Sequence, residues 1–128
     1  MTQLYLLRHG ESHANLQRDL IGGRTNETPL SPLGVEQARR AGAYMRRMLI
    51  RPSVAAVSPA VRTLHTAQLA LREMEYRGKV TIDPMLQELS QGTSEGMPRH
   101  DVYTPERLEE IARLGKDFKL PDGESVSE

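Results

Sequence analysis

Apolar positions along the chain come in two kinds, short continuous runs and longer stripes that step by three and four. The first run is Gln3-Leu4-Tyr5-Leu6-Leu7, which leads into Arg8, His9 and Gly10. A run this short, ended by glycine, predicts a strand buried on both faces. Val54-Ala55-Ala56-Val57 and Val80-Thr81-Ile82 predict two more short buried strands. Between them lie helical patterns. Ser31-Pro32 supplies an N-cap and a first-turn proline, and Val35, Ala38, Gly42, Met45 and Leu49 then form one stripe. Arg51-Pro52-Ser53 stops that helix. Ser58-Pro59 predicts the cap of the next, running to about Tyr76, with Val61, Leu64, Ala67, Leu71 and Met74 facing inward. Thr104-Pro105 opens a last helix that packs through Leu108, Ile111, Ala112 and Leu114 and ends at Gly115.

Strands alternating with helices of these lengths predict βαβ units. The expected architecture is α/β, a three-layer α/β/α arrangement with a mostly parallel central sheet. Two segments carry no period. Residues 12–30 are polar and glycine-bearing, long for a loop in a compact domain, and such loops tend to be functional. Residues 83–100 are also irregular, with two glycines and two prolines. Near the end, Ser125-Val126-Ser127-Glu128 has capping-box spacing, Ser at N-cap and Glu at N3, with no helix after it. The expectation is therefore a single domain over 1–128 that is incomplete at its C-terminus.

Composition narrows the function. Seventeen Lys+Arg balance seventeen Asp+Glu, so bulk charge gives no reason to expect nucleic-acid binding, and any anion site must be local. The basic face of the helix after Ser31, with Arg39, Arg40, Arg46 and Arg47, reads as a solvated surface. There is no cysteine, hence no disulfide framework and no thiolate metal site. His13, His65 and His100 lack ligand spacing, so no metal and no cofactor are expected. No charged leader precedes a long apolar region, and no run is long enough to span a membrane. The expectation is a soluble, cytoplasmic chain with no membrane partner. Oligomeric state is not legible.

The candidate chemistry lies at the strand ends. Strand one delivers Arg8-His9-Gly10, strand two delivers Ser58 and then Arg62 in the first turn of a helix, and strand three leads to Glu88. In a parallel sheet with right-handed crossovers, all three reach one edge, where ligands of open α/β sheets bind. A guanidinium forks onto phosphate oxygens, and an imidazole can attack phosphorus or shuttle a proton. The helix N-terminus beside Arg62 adds unpaired N–H groups and the positive dipole end. Ser12 and Asn15 are further candidate donors to phosphate. Asp83 and Glu95 are rival acids to Glu88, though Glu95 sits between glycines as a capping or ion-pairing residue would. Glu11 reads as a local hydrogen-bond acceptor.

At these residues a resemblance emerges. Leu7-Arg8-His9-Gly10-Glu11 resembles the signature of the histidine phosphatase superfamily, the phosphoglycerate mutase-like proteins. Asn15 matches the family's Asn five residues after the Gly. Pro29-Leu30-Ser31 through Gly34, with Gln37-Ala38, resembles its loop-to-helix segment. Ser58 to Arg62 with Thr66-Ala67 resembles its Ser-x-x-x-Arg-x-x-x-Thr-Ala helix start. Glu88, Gly92 and Glu95-Gly96 resemble Glu-x-x-x-Gly-x-x-Glu-Gly, and Pro121 to Ser125 resembles Pro-x-Gly-Glu-Ser. The motifs occur in order along the whole chain.

The resemblance implies phosphomonoester hydrolysis through a phosphohistidine on His9. Arg8 and Arg62, helped by Asn15 and Ser12, would bind the phosphoryl oxygens of a small-molecule phosphorylated substrate. Glu88 would protonate the leaving oxygen and later activate water. Two departures stand out. The family's second catalytic His lies beyond the Pro-x-Gly-Glu-Ser point, where this sequence ends. The family's phosphatases often carry Trp where this chain has Ser94. A mutase is a weaker reading, because family mutases carry Glu-Arg-His-Tyr-Gly where this chain reads Glu88-Leu89-Ser90-Gln91-Gly92. A non-catalytic phosphate- or phosphoprotein-binding module is the reading from another class.

Overall fold

The computed structural model describes residues 1–128 and divides them into two compact units, Met1–His13 with Asn26–Leu86, and Ala14–Thr25 with Gln87–Glu128. A short helix, α1 (His13–Leu16), spans the point where the chain passes from the first unit to the second.

In the first unit, α2 (Pro32–Arg47) starts where the sequence predicts. Ser31 is the N-cap, its Oγ accepts the Gly34 N–H at 3.1 Å, and Pro32 occupies the first turn. Strands β1 (Val54–Val57) and β2 (Lys79–Ile82) pair in parallel, Val54 opposite Lys79 and Val57 opposite Ile82. Helix α3 (Val61–Glu73) connects them and packs on α2. The two helices meet through small residues: a Cβ on Gly42 would lie 2.3 Å from the Ala70 carbonyl oxygen, so only glycine permits this crossing distance.

The α/β class and the parallel pairing hold, and in the first unit four regions differ from expectation. Residues 3–7 join no strand: the sheet contains β1 and β2 alone, and Leu4 and Leu6 are 80% and 89% exposed. An apolar run shows that a segment suits a sheet. It becomes a strand only when its N–H and C=O groups meet a neighbour. For the same reason β1 and β2 are not buried runs, since a two-stranded sheet has few layers to cover it; Val54, Val80 and Ile82 are exposed.

Helix α3 begins at Val61 with Ala60 at the N-cap, not Ser58, and the Val61 N–H is taken by the Asn26 carbonyl at 2.8 Å. Its buried stripe is Arg62, Thr66, Ala70 and Met74 rather than the face of Val61, Leu64, Ala67 and Leu71. The fourth difference concerns Leu49, which lies past the end of α2 at φ 57° and is exposed.

The second unit has an apolar centre of Ile21, Val102 and Leu120, with Tyr103 and Phe118 against it. The segment around Ile21 is laced to the chain after Gly96: Ile21 N–H donates to the Met97 carbonyl at 2.8 Å, and Gly96 N–H donates to Ile21 at 2.9 Å. Arg99 N–H donates to Asp19 at 2.7 Å. The unit carries α4 (Arg99–Val102) and α5 (Pro105–Leu114), the latter N-capped by Thr104 as predicted. No residue of α5 is fully buried, so Leu108 and Ala112 do not form the expected inner face. At the C-terminus the capping-box spacing is realised: the Glu128 carboxylate accepts the Ser125 N–H at 3.0 Å.

Candidate functional site

The first unit holds Arg8, His9, Ser12 and Arg62; Asn15 and Glu88 belong to the second. The loop that carries His9 is fixed backbone group by backbone group. Gly10 N–H donates to Thr66 Oγ1 at 3.1 Å, and Glu11 N–H donates to Gln37 Oε1 at 2.8 Å. The Glu11 carbonyl accepts Ser31 N–H at 2.9 Å, and its carboxylate accepts the Ser31 hydroxyl at 2.7 Å. Glu11 is thus the local acceptor that the sequence suggests. Ser12 is buried and bridges Leu30 in antiparallel fashion.

Two glycines allow this arrangement. A Cβ on Gly10 would sit 2.3 Å from the Gly34 carbonyl oxygen, and one on Gly34 would sit 1.9 Å from that of Glu11. The loop therefore lies backbone to backbone on the first turn of α2, which is one of the few close approaches that glycine alone can make.

His9 is half-buried, and its Nδ1 lies 2.7 Å from the Gly10 carbonyl oxygen. A carbonyl oxygen only accepts, so Nδ1 carries a proton, and the neutral tautomer compatible with this contact has its lone pair on Nε2. Arg8 beside it is exposed, while Arg62 is 7% exposed in the first turn of α3. A cavity of about 180 Å³ adjoins the loop, lined by Leu7 to Gly10 and by Gln37, Ala38, Ala41 and Thr66.

In the second unit Glu88 is exposed; its carboxylate accepts the Leu89 N–H at 3.1 Å, and its carbonyl accepts Arg24 Nε at 3.2 Å. Asn15 is exposed on α1. Arg24, which the sequence does not single out, ties this region together through an ion pair to Glu124 at 2.8 Å. Burial pushes the Glu95 carboxyl up, but the N–H groups of Gln91, Arg24 and Thr25 and the Arg24 charge outweigh it and hold it below its ordinary value. The Ser90 N–H and Arg24 likewise hold Glu124 down. Glu95 is therefore a loop clamp, in line with its glycine-flanked position. No three His, Asp or Glu side chains group in a way that could hold a metal ion.

Sequence reasoning missed the part played by Thr66 and Gln37. The signal was available for Thr66, which lies one helical turn after Arg62 and so shares its face. A stripe read from apolar residues alone does not include it.

Residues 4–128 match the family model described as the histidine phosphatase superfamily, branch 1. The chain belongs to the histidine phosphatase superfamily. Among its relatives, the 2,3-bisphosphoglycerate-dependent phosphoglycerate mutase of Azorhizobium caulinodans is 36% identical over 126 residues, covering 96% of this chain and 60% of that protein. The fructose-2,6-bisphosphatase TIGAR B of Danio rerio is 30% identical over 131 residues, 98% of this chain and 48% of that one. The crystal structure of a putative alpha-ribazole-5'-P phosphatase from Escherichia coli superposes with a TM-score of 0.69 at 30% identity, over 94% of this chain and 58% of that one. The chain thus spans at most about 60% of the length of these relatives. None of its helices is long and apolar enough to cross a membrane.

Proposed function

We propose that the protein hydrolyses small-molecule phosphomonoesters through a phosphohistidine on His9. In the first step Nε2 attacks phosphorus, the phosphorus–oxygen bond to the leaving group breaks, and Glu88 gives that oxygen its proton. In the second, the Glu88 carboxylate takes a proton from water as the water attacks, the phosphorus–nitrogen bond breaks, and phosphate leaves. Arg8 and Arg62 hold the phosphoryl oxygens through transfer, with Ser12 and Asn15 as further donors. A single domain over residues 1–128 and a cytoplasmic location belong to the same proposal, and fractionation of the tagged protein tests the location.

The observation that carries this reading is the Nδ1–Gly10 hydrogen bond at 2.7 Å, which selects the tautomer whose Nε2 can act as a nucleophile. Turnover of a small aryl phosphate tests it. Release of phosphate by the wild type, abolished in a His9→Ala variant that melts as the wild type does, supports hydrolysis. Orthovanadate binding without turnover in the wild type favours the binding-module reading. A mutase reading draws on relatives such as the phosphoglycerate mutase of Azorhizobium caulinodans. Exchange of phosphate between positions of a phosphoglycerate, in place of its release, would decide for it.

A further inference from the structure

Helix α3 buries two polar side chains in one stripe, Arg62 and, one turn later, Thr66 at 4% exposure. The Thr66 hydroxyl donates its proton to the Arg62 carbonyl at 2.7 Å and accepts the Gly10 N–H at 3.1 Å. The first bond is the common back-bond of a helical threonine. The second is not local, because it reaches the backbone next to His9, 56 residues away in sequence. One side chain therefore joins the loop that carries His9 to the turn of helix that carries Arg62.

We propose that Thr66 is a positioning residue that sets the His9 loop in register with Arg62, so that nucleophile and guanidinium address one phosphoryl group. This rests on the proposed roles of His9 and Arg62. Gly10 is held at both ends, its N–H by Thr66 and its carbonyl by the His9 ring. Without the hydroxyl, the buried Gly10 N–H loses its acceptor, and the loop must shift to find another. A shift of about 1 Å in such a constellation costs on the order of 100-fold in function. Thr66→Val has nearly the volume of threonine and removes only the hydrogen bonds.

The test compares wild type, Thr66→Val and Thr66→Ser by calorimetric titration with orthovanadate and by the rate of phosphohistidine formation from an aryl phosphate. Far-UV circular dichroism and a thermal melt on each report the folded fraction. The valine variant is expected to be folded and to bind orthovanadate about 10- to 100-fold more weakly. The serine variant, which keeps the hydroxyl, is expected within about threefold of wild type. A purely structural threonine would lower the melting temperature while leaving affinity per folded molecule unchanged, and serine would rescue nothing specific. Wild-type affinity in folded Thr66→Val overturns the proposal while leaving the phosphohistidine reading standing. Absence of both orthovanadate binding and phosphohistidine in the wild type overturns the two together. If Thr66→Val does not fold, Thr66→Cys takes its place; its weak sulfur acceptor should cost about tenfold, and wild-type affinity there counts against the proposal.

Discussion

Gly34→Ala adds one methyl group at the place where α2 carries the His9 loop. The new Cβ would lie 1.9 Å from the Glu11 carbonyl oxygen, 2.8 Å from its carbonyl carbon and 2.9 Å from its nitrogen. All three are backbone atoms, so no side chain can rotate away. Reaching ordinary van der Waals separation of about 3.5 Å requires the strands of backbone to part by more than about 1 Å. That movement pulls Glu11 from Gln37 and Ser31, with which it forms hydrogen bonds of 2.7 to 2.9 Å. Helix propensity works in the opposite direction and favours alanine by up to about 1 kcal/mol. Overpacking costs about 1–3 kcal/mol, and the loss of one of these hydrogen bonds about 1 kcal/mol. The net expectation is destabilisation of about 1–3 kcal/mol, a fall in melting temperature of roughly 4–12 °C for a chain of this size. His9, two residues before Glu11, moves with it, and phosphohistidine formation should slow by about 100-fold. Thermal unfolding by circular dichroism and rapid-quench phosphorylation measure the two effects. Gly22→Ala is the control, since nothing lies within 4 Å of its Cβ position. A Gly34→Ala protein as stable as wild type and phosphorylated at the wild-type rate would refute the view that this backbone contact places His9.

Three further outcomes are expected. Ser31→Ala removes both the N-cap of α2 and the hydroxyl bond to Glu11, and should cost about 1–2 kcal/mol in a denaturant titration. Glu95→Gln puts an NH₂ group where three N–H donors converge; amide hydrogen exchange at Gln91, Arg24 and Thr25 should quicken while that at α2 is unchanged. Glu95 and Glu124 have folded-state values below the ordinary 4.5, so the stability they contribute is fully present above that value. It is lost as the pH falls through their lowered values, and the same amides should lose protection in that acid window and not between pH 6 and 8.

The legible parts of this fold were those specified locally. Ser31 and Thr104 accept the bonds expected of N-caps, and Glu128 accepts the Ser125 N–H, one half of the capping box that their spacing suggests. Val54–Val57 and Lys79–Ile82 are parallel strands, as a βαβ pattern requires. The parts that escaped depend on distant partners. Residues 3–7 have the apolar character of a strand, but composition does not say what will pair with them. The buried face of α3 was misread by about one residue because Arg62 and Thr66 are polar, and polar groups go inside only when specific partners await them. For Thr66 the partners are the Gly10 N–H and the Arg62 carbonyl. The motifs that carry the candidate residues were legible in each unit by itself, while the hydrogen bonds that hold each loop were not.

The central claim is that His9 attacks phosphorus through Nε2 because its Nδ1–H is tied to the Gly10 carbonyl. Rapid quenching of the wild type with an aryl phosphate, followed by phosphorus NMR and tandem mass spectrometry under alkaline conditions, tests this directly. The expected result is one phosphoryl group on His9, attached at Nε2. Phosphate on Nδ1, or on Ser12, or a turnover that passes through no phosphoenzyme, would contradict it.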